Sequence, residues 1–246
     1  MNRLSHLPTA SETLLTDRAL LKRTDTKFVL PTRELPALLN ALEPTDYGAV
    51  RHEGGATFAY ETVYFDTPGR ALLRAHHRGQ RPRCKVRIRH HLSRQLSFFE
   101  LKQKGPNDAT SKQRIPIEFK SEAIDDRARM VLRNGNRLPD DPLGHAMRIG
   151  FERTMLVGVE TPERISIDTA LCFSDDATNA RLEDLAIVEV KQARFAARSP
   201  IMRALRKASA LELRVSKYVT GAQLIWPDIR LNRDRNRLRM LRRRIA

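Results

Sequence analysis

Cys84 and Cys172 are the only cysteines in 246 residues, and they share no metal-ligand spacing. Both sit in strand-like runs and read as small buried residues of a reducing compartment. Aromatic residues make up only 6% of the chain, too few to lay a stacking platform under single-stranded nucleic acid. No window approaches the roughly 18 apolar residues of a membrane span. The opening MNRLSHLPTASETLLTD lacks the apolar run of a secretory signal, so the expected location is cytoplasmic. Neither GxxxxGK[ST] nor GxGxxG occurs, so no glycine-rich loop cradles phosphate. No Ser-His-Asp or Cys-His set stands out. His76-His77 and His90-His91 are adjacent pairs without the spacing of a zinc site, and they read as surface or rim residues.

Positive charge is abundant. Lys and Arg number 45 against 29 Asp and Glu, for a formal net charge of +16. Such a surplus points to a polyanionic partner: nucleotide, polyphosphate, nucleic acid or an anionic membrane surface. Residues 228–246 hold eight Arg and two Asp, a tail of +6, which leaves +10 in the body. The tail alone does not explain the charge.

Organisation follows from the hydrophobic pattern. Ser11 to Leu21 reads as a short helix capped by Ser11, and residues 21–30 as a strand. Thr32 can cap a helix to Glu43, with Leu35, Leu38, Leu39 and Leu42 at helical spacing. Strands are expected at ATFAYETVYFD, 84–91, 97–104 and QRIPIEFK, where Pro116 marks an edge or bulge. Residues 121–151 read as helix in pieces. RTMLVGV, ERISIDTALCF and LAIVEVKQ read as strands with a turn near 174–179, then a helix from Pro200 to Ala210. The expectation is an α+β fold on a large antiparallel sheet or barrel. The boundaries drawn are 1–20 for an N-terminal helix, 21–221 for the main domain and 222–246 for the tail.

The strands share one feature. In KVRIR, Lys85, Arg87 and Arg89 lie on one face and Val86 and Ile88 on the other. In FFELKQK, Glu100, Lys102 and Lys104 share a face. Arg23, Asp25 and Lys27 do so in KRTDTKF, Arg114 and Glu118 in QRIPIEF, Arg164 and Asp168 in ERISIDT, and Glu189 and Lys191 in AIVEVKQ. One such strand is usually a solvated face. Six together fit a barrel whose charged faces point inward and whose apolar faces pack under helices. Like charges lined up along such a tunnel repel each other unless an anion lies between them, and phosphate chains suit Arg and Lys. The few carboxylates there (Asp25, Glu100, Glu118, Asp168, Glu189) either pair with the cations or hold Mg²⁺ or Mn²⁺ together with phosphate oxygens.

KRTDTKF, TVYFDTP, KVRIR, FFELKQK, FERT, RISIDTAL, AIVEVKQ and SKYVTG, in that order from about Leu21 to Gly221, resemble the VTC domain, a polyphosphate polymerase domain of the CYTH-like triphosphate tunnel metalloenzymes. The resemblance implies an eight-stranded antiparallel tunnel with helices outside. It implies an enzyme that moves the terminal phosphate of ATP onto polyphosphate with a divalent metal, Mn²⁺ or Mg²⁺. Lys85, Arg87, Arg89, Lys102 and Lys191 would act on the transferred group. Arg23, Lys27, Lys104, Arg114, Arg153, Arg164, Ser216 and Lys217 would bind substrate. Glu189 would hold the metal, with Glu100 or Asp168. The hydrolytic branch opens with ExExK, whereas this chain has Arg23, Asp25 and Lys27 at that spacing, which favours the polymerase type. A tunnel triphosphatase and a non-catalytic polyanion-binding module are the alternatives. The tail, with Leu231, Leu238, Met240, Leu241 and Ile245 among arginines, can form an amphipathic helix. It offers contact with anionic lipid, polyphosphate or a membrane-protein partner.

Overall fold

The computed structural model describes residues 4–19, 23–106, 109–135, 138–226, 228, 229, 236, 239–241 and 243. Eight long strands carry it: β1 (Thr24–Pro31), β3 (Thr57–Asp66), β4 (Arg83–His91), β5 (Leu96–Lys104), β6 (Thr110–Ile117), β7 (Gly144–Gly158), β8 (Glu163–Ser174) and β10 (Leu185–Gln192). Three short strands join them, β2 (Tyr47–Ala49), β9 (Asn179–Leu182) and β11 (Leu211–Glu212). The order is β11-β1-β10-β8-β7-β3-β4-β5-β6, antiparallel throughout, with β2 on β7 and β9 on β8.

The α+β antiparallel architecture is as the alternation required. It differs from an ideal eight-stranded barrel in its closure. Among the described residues the sheet has eleven strands, and no β1–β6 ladder joins its ends. One edge of β1 is taken by the two-residue β11. At the other end β6 carries Pro116, which lacks a backbone donor for a further ladder.

The helices with defined bounds among the described residues are α1 (Glu12–Asp17), α2 (Leu35–Asn40), α3 (Ala71–Arg78), α4 (Asp126–Arg133), α5 (Pro200–Lys207) and α6 (Lys217–Ile225). Ser11 caps α1 by accepting from the Leu14 amide. Thr32 does not cap α2; it opens a 3₁₀ turn, Thr32–Glu34, that leads into the helix. Of the expected helical pieces in 121–151, only α4 forms among the described residues, capped by Asp125. Gly144 onward is strand instead, because His145, Met147, Ile149 and Phe151 alternate with Ala146, Arg148 and Gly150 along β7.

Two outer layers cover the apolar strand faces. On one side Phe28, Ile165, Ile167, Val188 and Val190 pack under α2 and α5, through Leu38, Leu39, Ile201 and Leu205. On the other, Val86, Ile88, Phe99 and Leu101 pack under α4 through Ala128, Val131 and Leu132. Each fully buried Leu or Ile there contributes roughly 1.5–3 kcal/mol. Asp66 anchors the start of α3 by accepting from the amides of Leu72 and Leu73.

The inner face holds a third core. Val29, Tyr64, Met147, Ile149, Phe173 and Ile187 pack around α6 through Tyr218, Val219, Ala222 and Ile225. The helix therefore fills one end of the curled sheet. A Cβ at Gly221 would lie 2.5 Å from both Met147 Sδ and Phe173 Cδ1, so the close approach requires glycine. Tyr218 stacks on Tyr64 at 4.5 Å and donates to Asp66. The sequence reading placed no helix over these residues.

Cys84 is buried as expected, and burial pushes its thiol up to about 11. Cys172 is exposed instead, since the β8 alternation that buries Leu171 and Phe173 turns it outward. Met240 is exposed and Leu241 is only 2% exposed within the inner core, while Leu231, Leu238 and Ile245 lie outside the described residues. Among the described residues no helix is long and apolar enough to cross a membrane.

Candidate functional site

Parity along the strands decides which side chains face the concave side. In β4 the burial alternates without a break: Cys84, Val86, Ile88 and His90 are buried, and Lys85, Arg87, Arg89 and His91 are partly open. Pairing carries that face across β5 and β6, with Lys85 opposite Lys102 and Arg87 opposite Glu100. Glu100 stands opposite Arg114, and Lys102 opposite Lys112. On the other flank Lys27 faces Glu189, Glu189 faces Ser166, and Arg153 faces Asp168. In β8 the non-glycine Ala170 has φ +50°, and the β7–β8 register shifts between Gly150 and Glu152. That bulge changes the parity, so Asp168 and Phe173 both point inward.

Curling brings the two flanks together. β1 and β5 are six places apart in the sheet, yet Lys27 and Glu189 both act electrostatically on Lys102. Lys27 likewise acts on Lys85, and Arg153 acts on Arg89. The N-terminal end of α6 floors the space. Lys85 Nζ lies 3.3 Å from Ser216 Oγ, and Lys27 Nζ donates to the Val215 carbonyl at 3.0 Å.

The carboxylates are strongly engaged. Glu100, 2% exposed, accepts from Arg87 at 2.6 Å and from Lys112 at 2.6 Å. Asp168, also 2% exposed, takes both Nε and Nη2 of Arg153 at 2.6 and 2.7 Å, and pairs with Lys217. The cations outweigh burial and hold both carboxyls well below the usual range. Glu189 pairs with Lys191 at 2.5 Å through one oxygen, and its carboxyl is held down to about 2 although burial pulls upward, because Lys27 and Lys191 lie near.

Several cations lack such partners. Among the described residues no carboxylate pairs with Lys27, Lys85 or Lys102. Burial, then Lys27, Arg87 and Lys102, pushes the Lys85 ammonium well down. Burial and then Arg87 push Lys102 down. Lys217 is pushed down to about 8 by burial against the opposing pull of Asp168. Arg89 is lowered to about 10 by burial and then Arg87.

Lys27, Lys85, Arg87, Arg89, Lys102, Arg153, Lys191, Ser216 and Lys217 thus converge on the concave space together with Glu100, Asp168 and Glu189. Arg23, paired with Asp25 at 2.9 Å, lies towards Arg164, whose guanidinium is lowered by burial and then by Arg23. Arg114 is more open, lying 3.4 Å over the Phe98 ring. Lys104 stands opposite Arg83 at one end of β5. Glu118 is exposed beyond the end of β6.

Sequence reasoning missed four neighbours. Tyr64 accepts from Arg87 at 3.1 Å, Thr62 lies 3.4 Å from Arg89 Nε, and Lys112 closes on Glu100. Thr62 and Tyr64 alternate in TVYFD, which could have placed them. His76 on α3 lies in the field of Lys85, and burial followed by that lysine pushes its ring down to about 2. Only the tertiary packing shows it.

His90 also departs from the surface expectation: it is 0% exposed, on the outer side of β4. Among the described residues, the acid and histidine groups that converge within 4.8 Å are Glu61, His90 and Glu122, not the carboxylates of the concave space.

No curated protein matches the sequence. Among solved structures, HpAC1 from Hippeastrum, a candidate adenylyl cyclase described as having a dominant triphosphatase activity, superposes with a TM-score of 0.55 at 14% identity, over 86% of this chain and 99% of that one. A candidate adenylate cyclase from Bacillus halodurans gives a TM-score of 0.48 at 15% identity, over 79% and 93%. The first likeness shows a shared fold. A family model for the VTC domain matches residues 22–226, most of the chain, and this protein belongs to the VTC domain family.

Proposed function

We propose that the concave space binds ATP and polyphosphate and moves the terminal phosphoryl group of ATP onto a polyphosphate end. One observation carries the reading: Lys27, Lys85 and Lys102 face one space, act on each other electrostatically and have no carboxylate partner among the described residues. A phosphate chain would neutralise them, and every phosphate along it presents the same charge.

In the reaction, an oxygen of the acceptor's terminal phosphate forms a bond to the γ-phosphorus. The bond from that phosphorus to the β–γ bridging oxygen breaks, leaving ADP and a chain one phosphate longer. Lys85, Arg87, Arg89, Lys102 and Lys191 stabilise charge on the transferred group. Lys27, Arg153, Ser216 and Lys217 position the phosphates from the floor and the facing flank, and Arg23, Lys104, Arg114 and Arg164 bind the chain further out. A bound Mg²⁺ or Mn²⁺ would neutralise phosphoryl oxygens. Glu189 fits as its holder, having a single ion pair through one oxygen. Glu100 and Asp168 fit less well, since each already serves two cations at close range.

The Hippeastrum protein of the same fold is described with triphosphatase activity, so transfer to water is the rival outcome. Arg23, where the hydrolytic pattern has its first glutamate, favours the polymer acceptor. Incubation with ATP and a polyphosphate primer tests the proposal. Wild type should lengthen the primer, and Glu189→Gln should bind ATP without lengthening it. Phosphate release with an unchanged primer would replace transfer by hydrolysis.

A further inference from the structure

We propose that Glu61, His90 and Glu122 form a site for a divalent transition-metal ion of the zinc class, on the outer face of the sheet and separate from the tunnel. Glu61 on β3 and His90 on β4 are direct cross-strand partners. Both lie on the same strand face as Val63, Val86 and Ile88, which pack under α4, so they point away from Arg87 and Arg89. Glu122 comes from the segment joining β6 to α4. One ligand atom from each of the three lies within 4.8 Å of the others.

His90 turns an acidic pair into a ligand set. It is 0% exposed, and its Nε2 has no hydrogen-bond partner. A buried polar atom without a partner is costly and needs a reason. The other ring nitrogen, Nδ1, lies 2.7 Å from Ser97 Oγ, which also accepts from the Lys120 amide. With Nδ1–H donating to Ser97, the Nε2 lone pair faces the two carboxylates. Metal-bound histidines are oriented in this way, by a hydrogen bond from the nitrogen that does not bind.

Arg148 accounts for the carboxylates but not for the histidine. Its Nη1 reaches Glu61 at 2.8 Å and Glu122 at 2.5 Å, and Nη2 reaches Glu122 at 2.8 Å. It offers Nε2 no hydrogen bond. Each carboxylate oxygen has a second lone pair, so Arg148 can remain beside a bound ion or swing outward from its half-exposed position. Two carboxylates and one guanidinium leave one negative charge, which favours a cation over an anion there. One imidazole with two carboxylates suits zinc-class ions better than Mg²⁺, which prefers oxygen and water. A bound ion would clip the β6–α4 segment to β3 and β4, bracing the strand that carries Lys85, Arg87 and Arg89 on its other face.

Calorimetric titration of the full chain with Zn²⁺ in excess Mg²⁺ tests this, alongside thermal unfolding with and without Zn²⁺. The wild type should take up one Zn²⁺ per chain and melt at a higher temperature with it. Changing an outer partner of a metal ligand typically costs about 10- to 100-fold in affinity, so losing a ligand in Glu122→Gln or His90→Gln should cost at least that. Neither variant should gain stability from Zn²⁺. If His90→Gln does not fold, Glu122→Gln decides, because Glu122 lies on a partly open segment. No Zn²⁺ uptake by the wild type, or equal uptake by the variants, would overturn the site.

Discussion

Lys85 and Lys102 stand directly opposite each other across β4 and β5, two cations in register with no carboxylate paired to either among the described residues. Like charges facing across strands are destabilising, by roughly 0.2–1 kcal/mol. The arrangement makes sense as a binding device in which stability is given up for affinity. Lys85→Met should therefore raise the melting temperature of the ligand-free protein and weaken triphosphate binding about tenfold or more. Thermal unfolding and calorimetry read the two effects. A variant that is less stable and binds equally well would contradict the reading.

Asp168 has the opposite character. It neutralises Arg153 and Lys217 where all three are largely buried. Removing one partner of a buried pair leaves uncompensated charge and costs about 3–5 kcal/mol. Asp168→Asn should lower stability by that order in urea unfolding. A loss under about 1 kcal/mol, the scale of exposed pairs, would show that water screens the cluster.

Gly221 tests the helix that fills the inner core. Alanine gains up to about 1 kcal/mol over glycine in helix propensity. Here the added Cβ meets Met147, which can yield, and Phe173, a buried ring that cannot easily do so. Overpacking of this kind costs about 1–3 kcal/mol, so the steric term wins. Gly221→Ala should lower the unfolding midpoint and, by displacing Ser216 and Lys217, reduce triphosphate affinity. A more stable variant would mean that α6 packs more loosely.

The pH dependence has a definite sign at each end. Lys217 sits at about 8, below the ordinary lysine value. Its charged form is disfavoured in the free protein, so triphosphate affinity should fall as pH rises through about 8, and binding near that pH should take up protons. Calorimetry in buffers of different ionisation enthalpy measures the uptake, and proton release would contradict the sign. Glu100, Asp168 and Glu189 are all depressed. Their contribution to stability is complete above the unfolded range near pH 4, and it is lost as pH falls from there towards 2 and below. Acid titration of the circular dichroism signal should show that loss, and a flat profile down to pH 2 would count against it.

Much of the site was legible because its residues alternate. Lys85, Arg87 and Arg89 against Val86 and Ile88 fix a face without any tertiary information; the same parity buries His90, against its reading as a surface or rim residue. Gly144 to Phe151 was not legible. Its inner face is apolar, and Ala146 and Met147 are good helix formers. The α6 plug was hidden because SKYVTGAQ is short and its burial depends on the surrounding curl. The bulge at Ala170 was hidden too, since the parity change arises from one residue's backbone. Which cations lose their carboxylates to neighbours is likewise a tertiary fact: nothing local in FFELKQK says that Lys112 and Arg87 will claim Glu100.

The most direct test of the central claim is to incubate purified protein with γ-labelled ATP and Mn²⁺ and resolve the products on a gel. A ladder of long labelled phosphate chains is the predicted result. Labelled orthophosphate alone, with no chain, would contradict polymer synthesis and make this tunnel a hydrolase.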